Sequence, residues 1–398
     1  MMKTTASRLA AAFLGYVTLV ILLLTLNPFY IIRPEEFHIA WTATRGDQLA
    51  NVLLFLPIGF LLRLTGGKRR GAIVIGAAIS LGIETVQLFM PARTTSIIDF
   101  LYNTLGAGMG AFLYDWVATR TAIPWRVVGQ LRLETPLMGV VYLMMPLLWV
   151  NRMALNVSPS RWGLTVLLGI CGAIVFGELA RQWLASRSQQ AGYAALTTGI
   201  WFLLGSGPGL LHPYSTMAMG ASLMVFSACL PLLPRNSTDR RYERETLKRL
   251  LPFFLIYLFL MAIWPPNRPW GPWHGMFGFT TRLTDTSLQG LYPRVEYLTA
   301  FAVFGYLMAE WRGRDELPLL RDLPRLFLLT AISTAGLEFL TGFQTGLGAS
   351  FIRGTLAVPS ALFGGMIYHL LRAHIRFLLA RSREIEHRRY KILAQTVI

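Results

Sequence analysis

The sequence predicts an all-α, polytopic helical membrane protein with about twelve transmembrane helices. Of its 398 residues, 54% are apolar and only 14% are charged, whereas a soluble domain carries about 25% charged residues. The mean hydropathy is +0.48, and apolar runs long enough to cross a bilayer recur along the chain. Together these observations exclude disorder, a fibrous protein and most soluble enzymes.

The apolar runs predict helices, because a lipid bilayer cannot satisfy the backbone groups of an open sheet. They lie approximately at 9–30, 49–66, 71–90, 97–118, 134–150, 162–180, 193–211, 214–233, 250–265, 295–311, 326–342 and 355–372. The first run follows Lys3 and Arg8, as a secretory signal would. It is long, however, and no A-x-A cleavage site ends it, so we expect a retained first span.

The basic residues predict that both termini lie in the cytoplasm. With twelve spans, 28 of the 37 Lys and Arg fall on the side of the termini and 9 on the other side. Cytoplasmic loops carry such an excess of basic residues. Membrane topology therefore explains the net charge of +17, and we expect no nucleic-acid partner.

Polar residues inside the predicted spans are concentrated between residues 47 and 110. Ionisable groups within a bilayer are costly and usually functional. Those on helices form pairs three or four residues apart, so that each pair shares one helix face, while an arginine lies in the short loop between the third and fourth spans. All of them converge on the outer third of three neighbouring helices. They are Asp47, Asn51, Glu84, Gln87, Arg93, Asp99 and Asn103.

This cluster has two explanations. In a catalytic or binding site, Arg93 would bind a carboxylate or phosphate, Glu84 would act as an acid or base, and Asp99 would complete the catalytic set. The ligand-binding residues would then be Asp47, Asn51, Gln87 and Asn103. Alternatively, the cluster is a self-satisfied polar network that locks the helices together. The sequence offers no metal-ligand spacing and no phosphate loop, so we expect neither a metal nor a cofactor.

Glycine and proline residues also mark the second and fourth spans. Gly106 and Gly110 form a small-xxx-small face, which predicts close approach of the fourth span to a neighbour. Pro57 and Gly59 predict a break in the second span that would free backbone carbonyls toward a cavity.

The motif set resembles the VanZ-like family, which is named for a teicoplanin-resistance protein. The segments that carry the resemblance are NVLLFLPIGF at 51–60, IETVQL at 83–88 and RTTSIIDFLYNTLGAGMGA at 93–111. The resemblance covers about residues 47–114. It implies a small helical membrane domain without a settled biochemical activity, located in the bacterial inner membrane. Some members are linked to antibiotic tolerance.

A second, degenerate copy of the motif is predicted near the C-terminus. Residues 297–309 align with 51–63, and residues 335–368 align without gaps with 81–114. The alignment places Glu338 opposite Glu84 but Arg353 opposite Asp99. Both copies would cross the membrane in the same direction. The predicted domains are a VanZ-like domain at 1–125, a middle four-helix region at 126–249, and a degenerate repeat with a basic cytoplasmic tail at 250–398.

Three functions fit these features. The first is a cell-envelope protein that binds or modifies an extracytoplasmic ligand at the Glu84, Arg93 and Asp99 cluster, with membrane lipids and a lipid-linked or cell-wall ligand as partners. The second is a secondary transporter in which Glu84 and Glu338 carry protons. The third is a non-catalytic assembly or tolerance factor. The position of the cluster near one membrane face favours the first and third, because transport sites lie nearer the midplane.

Overall fold

The computed structural model describes residues 5–26, 37, 39–91, 93–120, 135–155, 158–207, 213–233, 242–276, 288–315, 317–345 and 348–396. Twelve α-helices occupy most of this part of the chain. They are α1 (Thr5–Thr25), α2 (Arg45–Leu64), α3 (Arg69–Gln87), α4 (Ile97–Arg120), α5 (Thr135–Ala154), α6 (Trp162–Trp183), α7 (Arg187–Ser206), α8 (Pro213–Cys229), α9 (Tyr242–Ala262), α10 (Leu288–Trp311), α11 (Leu319–Thr341) and α12 (Phe351–Thr396).

The helical fold predicted from the apolar runs is confirmed. Each of the twelve runs overlaps one of the twelve helices. Seven helices are long and apolar enough to cross a membrane, namely α1, α2, α5, α6, α8, α11 and α12. The number of spans and the orientation of the termini stay predictions. The predicted domain boundary near residue 125 falls outside the described residues.

Helices α5 and α6 form the centre of the molecule. About four fifths of the most apolar window of each, 78%, is buried inside the protein, and α5 packs against α1, α6, α7, α10 and α12. A buried polar network joins this centre to α10. Glu296 of α10 binds Arg161, which precedes α6, and accepts a hydrogen bond of 2.7 Å from the hydroxyl of Tyr257 on α9. Because all three residues are buried, the network is a structural link between the middle of the chain and its C-terminal part.

The closest helix crossing in the N-terminal half joins α2 and α4. A Cβ atom at Gly106 or Gly110 would overlap the backbone of α2, and one at Gly59 would overlap the backbone of α4 at Ala107. The predicted close approach of the fourth span is therefore confirmed. The predicted break in the second span is wrong, because α2 continues through Pro57 to Leu64. Gly59 serves the helix crossing instead.

Two short parallel strand pairs complete the fold. Strand β1 (Ile39–Ala40) pairs with β2 (Thr95–Ser96), and β3 (Gly275–Met276) pairs with β4 (Ala349–Ser350). Strand β2 lies between the end of α3 and the start of α4, and β4 lies between the end of α11 and the start of α12. We call the helix ends that lie beside a strand pair the strand end.

The same succession of elements therefore occurs twice in the described residues. The N-terminal arrangement is β1-α2-α3-β2-α4, and the C-terminal arrangement is β3-α10-α11-β4-α12. Helices α10 and α12 cross as closely as α2 and α4, because a Cβ at Gly305 or Gly364 would overlap the backbone of the partner helix. Both arrangements also contain an edge-to-face aromatic pair with ring centroids 5.5 Å apart, Phe60 with Tyr114 and Tyr306 with Tyr368.

Candidate functional site

Glu84 lies at the strand end of α3, where it holds the start of β2. The residue is only 6% exposed. Its Oε2 accepts a hydrogen bond of 2.9 Å from the backbone N–H of Ser96, and its own carbonyl accepts one of 3.2 Å from the hydroxyl of Thr95. A buried carboxylate thus organises the turn between α3 and α4.

Asp99 lies in the first turn of α4, close enough to Glu84 for their charges to interact. Asn51 of α2 lies beside it. The positive end of the α4 dipole favours an anion there, but the neighbouring Glu84 does not. The Oδ1 atom of Asp99 is buried and has no hydrogen-bond partner among the described residues. Asp99 therefore has two carboxylates as neighbours at the strand end, the buried Glu84 and the exposed Asp47.

Asn103 and Asp47 have local structural partners. The Asn103 amide donates a hydrogen bond of 3.0 Å to the hydroxyl of Ser80, which ties α4 to α3. Asp47 is exposed and forms a capping box with Thr44, whose hydroxyl lies 2.6 Å from Asp47 Oδ2. This box satisfies the free N–H groups at the start of α2 and accounts for the predicted site residue Asp47 without a ligand.

Gln87 and Arg93 contact the end of α1. The Gln87 amide donates a hydrogen bond of 2.9 Å to the carbonyl of Thr25, and Arg93 Nη2 donates one of 2.9 Å to the carbonyl of Leu24. Both bonds satisfy carbonyls that a helix leaves without partners at its C-terminus, and a cation is favourable there. Partial burial lowers the pKa of Arg93, although a guanidinium stays charged in proteins.

The C-terminal arrangement repeats the position of the glutamate. Oε2 of Glu338 accepts a hydrogen bond of 2.7 Å from the backbone N–H of Ser350, as Glu84 does from Ser96. Here, however, Arg353 binds both carboxylate oxygens at 2.8 Å and also bonds the carbonyl of Gly348. Arg353 stands at the position of Asp99. One arrangement therefore pairs its glutamate with a cation, and the other places a second carboxylate beside it.

The sequence prediction missed the residues that position the glutamate. Ser96 acts through its backbone N–H and Thr95 through its hydroxyl, and neither group is ionisable. Ser80, which the sequence prediction also missed, instead accepts a hydrogen bond from Asn103. One signal was present, since Ser96 and Ser350 are identical in the alignment of the two segments. The predicted residues that lie together are Glu84, Asp99, Asn51 and Asp47, whereas Gln87 and Arg93 lie against α1.

Comparison with known proteins matches this N-terminal arrangement. Residues 4–123 match the family model VanZ/LLP1. The chain carries a VanZ-like domain. It is also 28% identical over 154 residues to Protein VanZ of Enterococcus faecium, a match that covers 36% of this chain and 90% of that protein. No solved structure matches the chain. The VanZ-like domain thus contains α1 to α4 and the Glu84–Asp99 pair, in a helical protein with several helices suited to cross a membrane.

Proposed function

We propose that this VanZ-like membrane protein binds an extracytoplasmic envelope ligand at Glu84 and Asp99. The observation that carries the proposal is the difference between the two arrangements. Glu338 is neutralised by Arg353, whereas Glu84 has Asp99 at the same place. Two neighbouring carboxylates, one buried and the other partly buried, are unfavourable unless a proton or a cation lies between them.

The ligand group that fits this site is a cation with N–H donors. In the C-terminal arrangement, a guanidinium from within the chain occupies the space in front of the glutamate. An amino group on a ligand would occupy the corresponding space in front of Glu84 and would also meet the unpartnered Oδ1 of Asp99. Arg93, which contacts the end of α1 from the loop between α3 and α4, would bind an acidic group of the same ligand. A lipid-linked or cell-wall component that carries both groups is therefore the proposed partner, and the proposed location is the bacterial inner membrane.

The proposal treats residues 250–398 as a second VanZ-like copy that has given up the ligand. The strand pair, the glutamate, the glycine-dependent helix crossing and the aromatic pair recur in both arrangements. The glutamate, the crossing glycines Gly59 and Gly110 and the aromatic pair have counterparts at the positions that the sequence alignment assigns. The contact between Glu338 and Arg353 also counts against the transporter alternative. Both oxygens of Glu338 are already bonded, to the Arg353 guanidinium and to the Ser350 N–H, so neither is open to a proton relay.

The substitution Asp99→Arg tests the proposal, because it copies the C-terminal arrangement into the N-terminal one. The new guanidinium should bind Glu84, so the protein should insert and fold normally while the ligand is excluded. The measurements are thermal unfolding of the purified protein, growth under envelope stress of cells that depend on this chain, and native mass spectrometry for a retained amine-containing ligand.

A matched control is Asp315→Arg, which makes the same change at an exposed turn where Asp315 forms an ion pair with Arg312 of that turn. We expect Asp315→Arg to retain growth and the bound mass, and Asp99→Arg to lose both. Wild-type growth and an unchanged bound mass in a stable Asp99→Arg protein would refute the ligand site.

A further inference from the structure

Three consecutive cations lie at the start of α3, at the end of the helix away from Glu84. They are Lys68, Arg69 and Arg70, and we call them the basic triplet. All three are exposed, and none of their side chains has an ion pair or hydrogen bond within the part of the chain that the structure describes. Asp115 on the neighbouring helix α4 does not offset their charge, because it already pairs with Arg63. The basic triplet is therefore a concentrated positive surface.

The turn between α2 and α3 anchors the basic triplet. The hydroxyl of Ser7 on α1 donates a hydrogen bond of 3.1 Å to the carbonyl of Thr65, and the hydroxyl of Thr65 donates one of 2.8 Å to the carbonyl of Leu62. Gly66 supplies the positive φ of 96° at this turn, which a glycine adopts without strain. The three charges are thus held on an ordered surface that is tied to both α1 and α2.

The fold does not require cations at this position. When the alignment of the two arrangements is continued toward the N-terminus without a gap, Asp322 stands opposite Lys68. Asp322 is buried and contacts His369 at 3.2 Å and Arg325 at 3.4 Å. The C-terminal arrangement therefore has an internal acid where the N-terminal one presents cations outward. The excess of cytoplasmic cations favours a positive residue on this side, but it does not require three at adjacent positions.

Exposed apolar residues follow the basic triplet on the same helix. Val74 and Ile75 are 66% and 47% exposed. They lie four and five residues after Arg70, which is about 6 to 7.5 Å along α3 at 1.5 Å per residue. The headgroup layer on each side of the 30 Å hydrocarbon core is about 5 to 7.5 Å thick. With Val74 and Ile75 at the edge of the hydrocarbon, the basic triplet lies at the depth of the lipid phosphates.

We propose that the basic triplet binds the headgroup phosphates of anionic phospholipids, whose acyl chains pack on the apolar surface of α3 beside it. Cations next to a membrane attract anionic lipids, and each strengthens the association about fivefold. An acidic protein segment would also complement the charge, but it would gain nothing from the exposed Val74 and Ile75. The surface is independent of the ligand site proposed at Glu84 and Asp99, because it lies at the opposite end of α3.

Photo-crosslinking of the full chain in vesicles tests the lipid surface. The vesicles consist mainly of phosphatidylcholine and contain a trace of phosphatidylglycerol or phosphatidylcholine with a diazirine on one acyl chain. Labelled peptides are mapped by mass spectrometry. We expect the phosphatidylglycerol probe to label residues 64–75 about tenfold more strongly than the phosphatidylcholine probe. About 1 M NaCl should remove most of this preference, because the Debye length falls to about 3 Å.

A matched pair of variants separates the basic triplet from net charge. The triplet variant carries Lys68→Gln, Arg69→Gln and Arg70→Gln. The control removes three exposed cations at dispersed positions and carries Arg187→Gln, Lys248→Gln and Arg321→Gln. Both variants lose the same charge, and thermal unfolding checks that both are folded. We expect the triplet variant to label equally with the two probes and the control to keep the wild-type preference.

Three results would overturn the lipid surface. One is an unchanged preference in the triplet variant, and another is an equal loss of preference in the triplet variant and the control. The third is equal labelling of the wild-type chain by both probes, which would leave an acidic protein segment as the partner of the basic triplet.

Discussion

Arg353 donates two hydrogen bonds to Glu338, each 2.8 Å long, and thereby neutralises the carboxylate at the strand end of α11. Both residues are more than nine-tenths buried. At the same place in the N-terminal arrangement, Asp99 lies beside Glu84. This exchange of a cation for an anion distinguishes the ion pair of the C-terminal arrangement from the neighbouring carboxylates of the N-terminal one.

The buried pair should be far more sensitive to single than to double replacement. Glu338→Leu or Arg353→Leu alone leaves one buried charge without its partner and should lower the free energy of unfolding by about 3–5 kcal/mol. The double change to leucine removes both charges and should be nearly neutral. Thermal unfolding in detergent measures all three variants. A double variant whose loss equals the sum of the two single losses would show that the pair contributes no coupling.

The two glutamates should differ in function. Glu84→Gln should abolish activity per molecule of inserted protein, because it removes a charge from the proposed ligand site. Glu338→Gln should reduce the amount of folded protein while keeping activity per molecule, since Arg353 already neutralises Glu338. Growth under envelope stress, normalised to protein in the membrane, measures the difference. An equal loss of normalised activity would instead favour the transporter in which both glutamates carry protons.

The fold was largely predictable from hydropathy. Apolar runs of membrane-spanning length locate all twelve described helices, because a chain in lipid can satisfy its backbone only within helices. The interpretation of Pro57 was wrong because a proline affects the preceding turn alone, and neighbouring groups allow a helix to continue through it. The role of Gly59 in helix packing could not be predicted, because α4, which crosses α2 at this position, is distant in the sequence.

The site was predictable in its residue types but not in its contacts. The pairs of polar residues on single helix faces correctly brought Glu84, Asp99 and Asn51 together. The same reasoning could not show that Gln87 and Arg93 lie apart from these residues. Their partners are backbone carbonyls of α1, and the sequence does not indicate which carbonyl a side chain will bind. Likewise, the alignment placed Arg353 opposite Asp99, but only the structure brings its guanidinium onto Glu338.

The crossing of α2 and α4 should depend on Gly110. A methyl group there would overlap the backbone of α2 at Leu56, so Gly110→Ala should separate the helices and lower stability by about 1–3 kcal/mol. Gly82→Ala is the control, because a Cβ at Gly82 meets no atom within 4 Å. Thermal unfolding compares the two variants. A Gly110→Ala protein as stable as Gly82→Ala would contradict the close crossing.

The basic residues predict a cytoplasmic location for both termini and for the connections near Arg70 and Arg244. Reporter fusions made after Arg70, Arg244 and Lys391 should therefore all report cytoplasm, since the excess of Lys and Arg orients the spans. A fusion after Arg93 should report the opposite side. An extracytoplasmic signal from any of the first three fusions would break the twelve-span topology.

A double replacement at Glu84 and Asp99 distinguishes a ligand site from a helix-locking network. Replacement of both Glu84 and Asp99 by leucine leaves no unpaired buried charge, so the double variant should retain its expression and most of its thermal stability. Arg93 is kept, because its bond to Leu24 holds the end of α1 in place. The Ser96 N–H loses its acceptor, which should lower stability by about 1–3 kcal/mol, so Glu84→Leu alone serves as the matched reference. A network needs only packing and would keep its activity in the double variant, whereas a ligand site would lose all of it. Full activity under envelope stress in a stably inserted Glu84→Leu, Asp99→Leu protein would leave the network as the explanation of the cluster.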